Sequence, residues 1–203
     1  FSHPAPLVCL GLACGRLLSF RLLLAGVICS LLPDADALAF RFNIPYASIL
    51  GHRGLSHSLA FALALGLAAA LIAPLLRSGR KTAFVVCAGA ALSHILLDAM
   101  TDGGLGVAAF WPFSEARYFL PWRPIAVSPL ALRHFFSQHG INVLGSEARL
   151  IWLPCLAGAL GILLVRLTHK VARLAVSPAN KMGFPKGVHT EPVPPAPFGR
   201  RRQ

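Results

Sequence analysis

The sequence predicts an all-α fold, a polytopic integral membrane bundle of about four or five membrane helices. Three observations predict it. Of the 203 residues, 56% are hydrophobic and only 13% are charged, about half of the roughly 25% that is usual in a soluble domain. The mean hydropathy is +0.66. Apolar runs of membrane-spanning length recur along the chain, and the polar residues are concentrated between them.

Three runs are long enough to span a bilayer: residues 59–76, 82–100 and 150–167. At 1.5 Å per residue, each forms a helix of roughly 27–30 Å, which matches the hydrocarbon core. The run at 82–100 is apolar except near its end, where His94 and Asp98 lie. We expect all three runs to cross the membrane.

Residues 5–32 allow two interpretations, because Arg16 and Arg21 interrupt an otherwise apolar stretch. A single span would place both guanidinium groups near the bilayer centre, at a cost of several kcal/mol. Two short arms, about 5–15 and 22–32, would place them at a turn where they reach the interface. We favour this helical hairpin, although each arm is short for a full crossing, and one long span remains the alternative.

The remaining segments have weaker signals. Trp111 and Trp122 suit an interfacial aromatic belt, and residues 134–147 suggest a short surface helix followed by a turn. We expect a membrane-embedded domain over residues 1–176 and a disordered, basic, Pro-rich tail over 177–203. No basic region precedes the first apolar run, so we expect no cleaved signal peptide. The five cysteines lie in apolar runs without metal-ligand spacing and are expected to be buried.

The formal net charge of +12 first suggests nucleic acid, but the hydropathy excludes that class and no nucleic-acid partner is expected. In the hairpin topology, one face carries thirteen of the 19 Lys and Arg residues and one acid, Glu191. The opposite face carries six basic and six acidic residues. The positive-inside rule therefore places the Arg77–Lys81 loop and the tail in the cytoplasm.

Three short motifs carry ionisable residues at the ends of apolar runs. The first is His94-Ile-Leu-Leu-Asp98, followed by Thr101 and Asp102. On a continuous helix these four polar residues lie on one stripe, so that the imidazole and the carboxylates share a face. Ionisable groups in a membrane span are costly unless they are functional or paired. The alternative is a His–Asp pair that only ties helices together.

The second motif is Pro33-Asp34-Ala35-Asp36, in which Pro33 is expected to stop a helix and turn the chain. Its carboxylates are the hard oxygen ligands that a divalent ion takes beside imidazole. In the alternative interpretation, Asp36 caps a short helix near Ala37 and Asp34 makes an Asx-turn.

The third motif is His52-Arg53-Gly54-Leu55-Ser56-His57-Ser58, directly before a span. Gly54 allows a bend that brings both imidazoles together, and Arg53 is suited to hold a phosphate. Ser56 is expected to cap the following helix. An even number of crossings separates the three motifs, so they fall on one face, together with His3. This face is predicted to hold a metal site. The other histidines, which lack acid partners at helical spacing, are expected to be surface or tail residues: His134, His139, His169 and His189.

The PDAD, HRGLSHS, LSHILLDAMT and WPF motifs, in that order, resemble the YdjM-like family of membrane-bound, metal-dependent hydrolases. The resemblance covers about residues 3–125, and the WRPI–VSP segment and the last span resemble the C-terminal part of the family. It implies a multi-pass protein of the bacterial inner membrane and a metal site formed by His3, Asp34, Asp36, His52, His57, His94 and Asp98. A fainter similarity to zinc-dependent phospholipase C suggests phosphoester chemistry.

We therefore expect metal-assisted hydrolysis with one to three divalent ions, zinc in the first place and manganese as the alternative. Asp36 or Asp102 would act as the general base, and Arg53, with Arg117 or Arg123, would hold a phosphate. The expected substrate is a small molecule or a lipid-like phosphoester at the membrane border. The alternatives are a metal or proton transporter and a non-enzymatic membrane scaffold. The substrate, the number of ions and the oligomeric state stay open.

Overall fold

A computed structural model describes residues 2–128 and 137–176, and this part of the chain is helical, with two isolated β-bridges and no strand. The α-helices are α1 (Ala5–Cys14), α2 (Phe20–Leu31), α3 (Leu59–Leu71), α4 (Arg80–Ala99), α5 (Gln138–Glu147) and α6 (Leu153–Val176). The chain divides into two units, Phe1–Leu164 and Val165–Gln203. In the second unit the described residues continue helix α6, and the predicted tail at 177–203 lies outside the described residues.

The apolar stretch at the N-terminus folds as two helices, as the hairpin interpretation predicts. Helix α1 ends at Gly15, whose φ of 55° is the left-handed conformation that favours glycine. A 3₁₀ turn follows, and Ser19 caps α2 by accepting the Leu22 N–H. The contacts between the two helices show that they run antiparallel: Gly11 faces Leu23, while Gly26 faces Leu7.

Pro33 was expected to turn the chain, and this expectation is wrong. The α-helical hydrogen bonds of α2 end at Leu32, but the chain continues as a 3₁₀ helix over Leu32–Phe42. Asn43, in the left-handed conformation with a φ of 56°, ends it. Proline fits the first turn of a helix, where its missing N–H is not needed. Asp34 and Asp36 are consequently helical residues within Phe20–Phe42, and Asp36 is not the cap of a separate helix.

Helix α3 is shorter than the predicted span at 59–76. It begins at Leu59, and Ser58 directly before it accepts the Phe61 N–H and so takes the capping role expected of Ser56. It ends at Leu71 because Pro74 has no N–H and disfavours helical geometry at the residue before it. A series of turns leads to α4, whose bounds agree within two residues with the run predicted at 82–100.

Helix α4 packs against both α2 and α3 at the centre of the bundle. A Cβ atom at Gly66 of α3 would lie 2.7 Å from the Cβ of Ala88, so the two helices approach as closely as small residues allow. Ala83, Cys87 and Ala90 are buried in the same core. The polar residues near the end of α4 therefore project into the interior of the protein.

The surface helix and turn predicted at 134–147 are corrected in part. Residues 134–136 lie outside the described ranges, α5 begins at Gln138, and no turn follows it. A π-helical turn over Ala148–Trp152 connects α5 directly to α6. In the described residues, three helical segments are long and apolar enough to cross a membrane: Phe20–Phe42, Arg80–Ala99 and Gln138–Ala172. Helices α1 and α3 are shorter and apolar.

All five cysteines are free; Cys9 and Cys87 are buried as expected, and the other three are half-buried. Trp122 is 65% exposed, whereas Trp111 is half-buried. His139 and His169 are exposed, as predicted. His134 and His189 lie outside the described residues.

Candidate metal centre

Helix α4 brings His94 and Asp98 into the protein interior, one helical turn apart. His94 is fully buried, and its Nδ1 lies 2.7 Å from the carbonyl oxygen of Ser30 in α2. A carbonyl only accepts, so Nδ1 carries the proton and Nε2 has a free lone pair. This arrangement, a histidine oriented through its second nitrogen, is typical of metal ligands.

The predicted polar stripe ends with Asp98, because α4 ends at Ala99. Thr101 still joins the site, since its hydroxyl accepts from Arg53 at 2.9 Å. Asp102 turns away and is exposed, and its carboxylate accepts the Val127 N–H at 2.8 Å. The structure therefore does not bring Asp102 to the cluster: this carboxylate fixes a loop and does not line the cavity described below, and its role as a catalytic base stays a prediction.

The HRGLSH loop brings His57 to His94. A side chain at Gly54 would collide with the carbonyl oxygen of Ile49, so only glycine fits at this bend. His57 lies in a 3₁₀ turn and is fully buried. Its Nε2 is 3.1 Å from Nε2 of His94, and its Nδ1 is 3.0 Å from the Ser56 hydroxyl.

Asp36 is enclosed by donors from the same loop. It accepts from His52 Nδ1 at 2.6 Å, from the Arg53 N–H at 3.0 Å and from the Ser56 hydroxyl at 2.5 Å. His57 Nδ1 lies 3.1 Å from the same carboxylate. With these contacts both oxygens are engaged, and the expected role of Asp36 as a general base does not fit. The carboxylate instead orients His57 so that Nε2 points towards His94.

Four ligand atoms, one each from Asp34, His57, His94 and Asp98, lie within 4.8 Å of one another. Asp98 Oδ2 is 3.1 Å from His57 Nε2 and 3.7 Å from His94 Nε2, and Asp34 Oδ1 is 3.6 Å from His94 Nε2. Bonds of about 2.0–2.1 Å to a tetrahedral zinc ion imply ligand–ligand separations of about 3.3 Å. Asp98 Oδ2 is also buried without a hydrogen-bond partner among the described residues. The donor set and its spacing therefore fit a divalent ion.

A second group consists of Asp36, His52 and His57, and one ligand atom of each also lies within 4.8 Å of the other two. Its Asp36–His52 contact of 2.6 Å is a hydrogen-bond distance, shorter than the spacing of two ligands on one ion. His57 belongs to both groups, through Nδ1 here and Nε2 in the first. The first group is thus the better candidate for an ion, and the second supports it.

His3 reaches the site from the N-terminal segment. Its ring stacks on that of His94 with 3.7 Å between centroids, and its Nε2 is 3.8 Å from Asp34 and 3.7 Å from Asp98. Burial, together with the nearby His94, holds the pKa of His3 well below its usual range. His3 is therefore a neutral ring at the edge of the cluster, outside the four closest ligand atoms.

Arg53 does not project its guanidinium group as a free phosphate-binding arm. The residue is 4% exposed, and its side chain donates to Asp98 Oδ1 at 3.1 Å, to Thr101 and to the Gly103 carbonyl. Its φ of 63° is unusual for a residue with a side chain. Arg53 therefore offsets the charge of Asp98 and fixes this carboxylate, and the phosphate-holding role predicted for it is not supported.

The two other arginines proposed for phosphate binding are also engaged. Arg117 donates to three backbone carbonyls, those of Tyr46, Ser48 and His52, at 2.9–3.0 Å. Arg123 lies over the Phe119 ring, 4.8 Å from its centroid. Arg117 therefore fastens the loop that carries His52.

The charge of His57 depends on the carboxylates of Asp36 and Asp98. Burial lowers the pKa of His57, but Asp36 and Asp98 outweigh this effect and raise it to about 9. Without an ion, the ring is therefore protonated at neutral pH. A metal would replace this proton.

A cavity of about 480 Å³ borders the cluster. His3, Asp34, His52, Arg53 and Asp98 line it, together with apolar side chains that include Leu31, Leu97, Ile125, Val127 and Ile151. Ser2, Ser128 and Glu147 also line it, and none of the three was expected there from the sequence. Glu147 had a detectable signal, because it is an acid beside an apolar span.

Fold and site together define a helical membrane protein with a buried His–Asp cluster on the wall of a cavity. The comparison with known families agrees: residues 1–172 match the model of the YdjM inner membrane protein family, and the chain belongs to this family. It is 41% identical over 155 residues to the inner membrane protein YbcI of Escherichia coli strain K12, covering 75% of this chain and 90% of that relative. No solved structure matches the chain.

Proposed function

We propose that this chain is a membrane-bound, metal-dependent hydrolase that acts on a lipid-like phosphoester at the membrane border. The convergence of His57, His94 and Asp98 on one point, with the orphaned Oδ2 of Asp98 among them, carries the proposal. Buried polar groups are normally hydrogen-bonded, and a carboxylate oxygen that has no such bond and lies 3.1 Å and 3.7 Å from two imidazole nitrogens is suited to share an ion with them.

Three residues would hold the ion, and all three are nearly inaccessible: the side chains of His57 and His94 are 0% exposed, and that of Asp98 is 6% exposed. A catalytic zinc site has three protein ligands and one open position. When bound, the ion would supply Lewis-acid activation of water and of the scissile bond. Zinc fits the two imidazoles best, and manganese is the alternative.

Asp34 is the best candidate for the general base. Its side chain is 41% exposed, unlike the three proposed ligands, and it lines the cavity. Its Oδ1 lies 3.6 Å from the Nε2 of His94, so it borders the open position of the site. A base must come within about 3 Å of the proton that it takes. Asp34 meets this requirement better than Asp36, which is enclosed, or Asp102, which points elsewhere.

The substrate class follows from the position of the cavity and from its lining. Apolar residues of α2, α4 and the 125–127 segment line the cavity beside the polar cluster. The outer faces of the helices expose large apolar residues such as Leu63, Leu67 and Leu160, as expected for surfaces that contact lipid. An amphiphile with an apolar chain and a hydrolysable phosphoester would fit both parts.

The location proposed is the bacterial inner membrane, crossed several times, with the Arg77–Lys81 loop and the tail in the cytoplasm. The family and the charge distribution support it. In a cysteine-free background, a cysteine at Ser78 is expected to react with an impermeant maleimide only from the cytoplasmic side. A cysteine at Ala47, an exposed residue of the loop that leads to His52, should react only from the other side. Labelling of both positions from one side would contradict this topology.

The hydrolase proposal is tested with purified protein loaded with zinc or manganese and assayed against a panel of phospholipids and phosphodiesters. Wild type should release product, and Asp34→Asn should bind metal normally but lose at least about 100-fold in turnover, as expected for a general base. Glu115→Gln, the same loss of charge at an exposed acid outside the cavity, is the matched control. Metal binding without turnover across the whole panel would overturn the proposal. Metal flux into liposomes would then support the transporter alternative.

A further inference from the structure

The short N-terminal segment that carries His3 is attached to the junction between α5 and α6. Ser2 is 3% exposed, and its hydroxyl donates to Glu147 Oε2 at 2.7 Å. The Ser2 hydroxyl oxygen in turn accepts the Trp152 Nε1–H at 2.9 Å. The backbone carbonyl of Ser2 accepts the Ala5 N–H, so this residue also fixes the start of α1. Ser2 thereby joins the start of α1 to the end of α5 and to the π-helical turn.

The π-helical turn makes this attachment possible. Glu147 and Trp152 are five residues apart, and on an α-helix they would point about 140° away from each other. In a π-helical turn, residues i and i+5 are hydrogen-bonded neighbours, so they share a face. The turn spans Ala148–Trp152 and directs both side chains to the Ser2 hydroxyl. Such π turns frequently occur at functional sites.

His3 depends on this anchor for its position. Its Nδ1 is buried and has no hydrogen-bond partner among the residues that the structure describes. The ring is held by stacking on His94 and lies beside Asp34 and Asp98 at 3.7–3.8 Å. A shift of Ser2 would therefore move His3 off the metal ligand His94.

We propose that Glu147 is a positioning residue that acts through Ser2 to hold His3 against His94, and so tightens binding of a divalent cation at the cluster. The metal part of this inference rests on the proposed function. Glu147 also accepts from Ser128 at 3.2 Å, so a purely structural role at the helix junction is the competing explanation.

The first measurement needs no metal. Detergent-purified, full-length protein is treated with diethyl pyrocarbonate, and modification of each histidine is followed by mass spectrometry. In Glu147→Ala and Ser2→Ala, His3 should react about tenfold faster, which corresponds to the loss of one charge-assisted hydrogen bond. His94 should stay protected. Glu147→Gln, whose amide oxygen still accepts from Ser2, should largely restore protection, and Glu115→Gln is the control. Equal exposure of His3 and His94, or no change at His3, would overturn the inference.

The second measurement is the zinc dissociation constant, obtained by competition with a chromogenic chelator. Residues beside metal ligands typically contribute 10–100-fold in affinity, so Glu147→Ala and His3→Ala should each weaken zinc binding by at least about tenfold. In the double variant, adding Glu147→Ala to His3→Ala should weaken zinc binding by less than a further factor of about two, because the effect of Glu147 passes through His3. Full additivity would overturn the proposed path. If the wild type binds no zinc but His3 protection still depends on Glu147, the metal site fails and the positioning of His3 stands.

Discussion

His57 and His94 bring their Nε2 atoms to within 3.1 Å of each other in a fully buried environment. His94 keeps its proton on Nδ1 for the Ser30 carbonyl, so its Nε2 presents a lone pair. Two facing lone pairs at this distance repel unless a proton or a cation lies between them. In the metal-free protein, the proton on His57 fills this place, and a divalent ion would take it over.

The first prediction concerns metal content. Purified protein should contain about one zinc or manganese ion per chain, and His57→Ala, His94→Ala or Asp98→Ala should lower this content at least tenfold, because each removes one of the few ligands. His139→Ala, an exposed histidine of α5, should retain the metal. Elemental analysis after gel filtration measures the metal content of each variant. Equal stoichiometry in all four variants would rule out this site.

The second prediction compares two glycine substitutions. Gly54→Ala should destabilise the protein by about 1–3 kcal/mol and weaken zinc binding, because the new Cβ atom would collide with the Ile49 carbonyl oxygen. Gly89→Ala in α4 meets no atom within 4 Å and should be neutral or stabilising by up to about 1 kcal/mol. Thermal unfolding in detergent measures both. A neutral Gly54→Ala would show that the loop tolerates another conformation.

The third prediction concerns pH in the metal-free protein. The pKa of His57 is raised to about 9, compared with the usual histidine value of 6.5. The stabilisation from its charge is therefore complete below about pH 6.5 and is lost as the pH rises through 9. Chelator-treated wild type should melt at lower temperature at pH 9.5 than at pH 6.5. Asp36→Asn, which removes one of the two carboxylates facing His57, should show a smaller difference. A pH-independent melting temperature in wild type would contradict the assignment.

The fourth prediction concerns Arg117, which holds three carbonyls of the 46–52 loop. Arg117→Met should cost about 2 kcal/mol or more, because hydrogen bonds to a charged donor are lost. It should also increase proteolysis within the loop. Arg123→Met, which removes a cation over the Phe119 ring, should cost less, about 0.5–1 kcal/mol. Similar losses for both variants would indicate a general effect of removing surface charge.

The sequence was sufficient for the helical class, the N-terminal hairpin and helix α4, because long apolar runs and two interrupting arginines carry strong local signals. It was less reliable where proline was involved. Pro33 was expected to turn the chain but lies in the first turn of a 3₁₀ helix, while Pro74 ends α3 early. A proline has the same local chemistry in both cases, and tertiary packing decides between them.

The convergence of His57, His94 and Asp98 was foreseen from their places at the ends of apolar runs, but the distribution of roles was not. Arg53 looked like a free phosphate ligand and is buried against Asp98, and Asp102 was expected on a helical face that ends three residues earlier. Such outcomes depend on where a helix stops and on which charges meet, and neither follows from residue type. The part played by Glu147 depends on a π turn, which has no recognisable sequence signature here.

The proposed ligands and the proposed general base come from three separate segments: His57 precedes α3, His94 and Asp98 lie on α4, and the base Asp34 follows α2. None of these segments presents two imidazoles and a carboxylate by itself, so a high-affinity site exists only once the three have packed together. An ion that binds the folded chain but not the unfolded chain adds its binding free energy to folding stability. The supply of that ion would then set how much of the newly inserted protein escapes proteolysis, and metal shortage would lower its abundance before it lowered its activity.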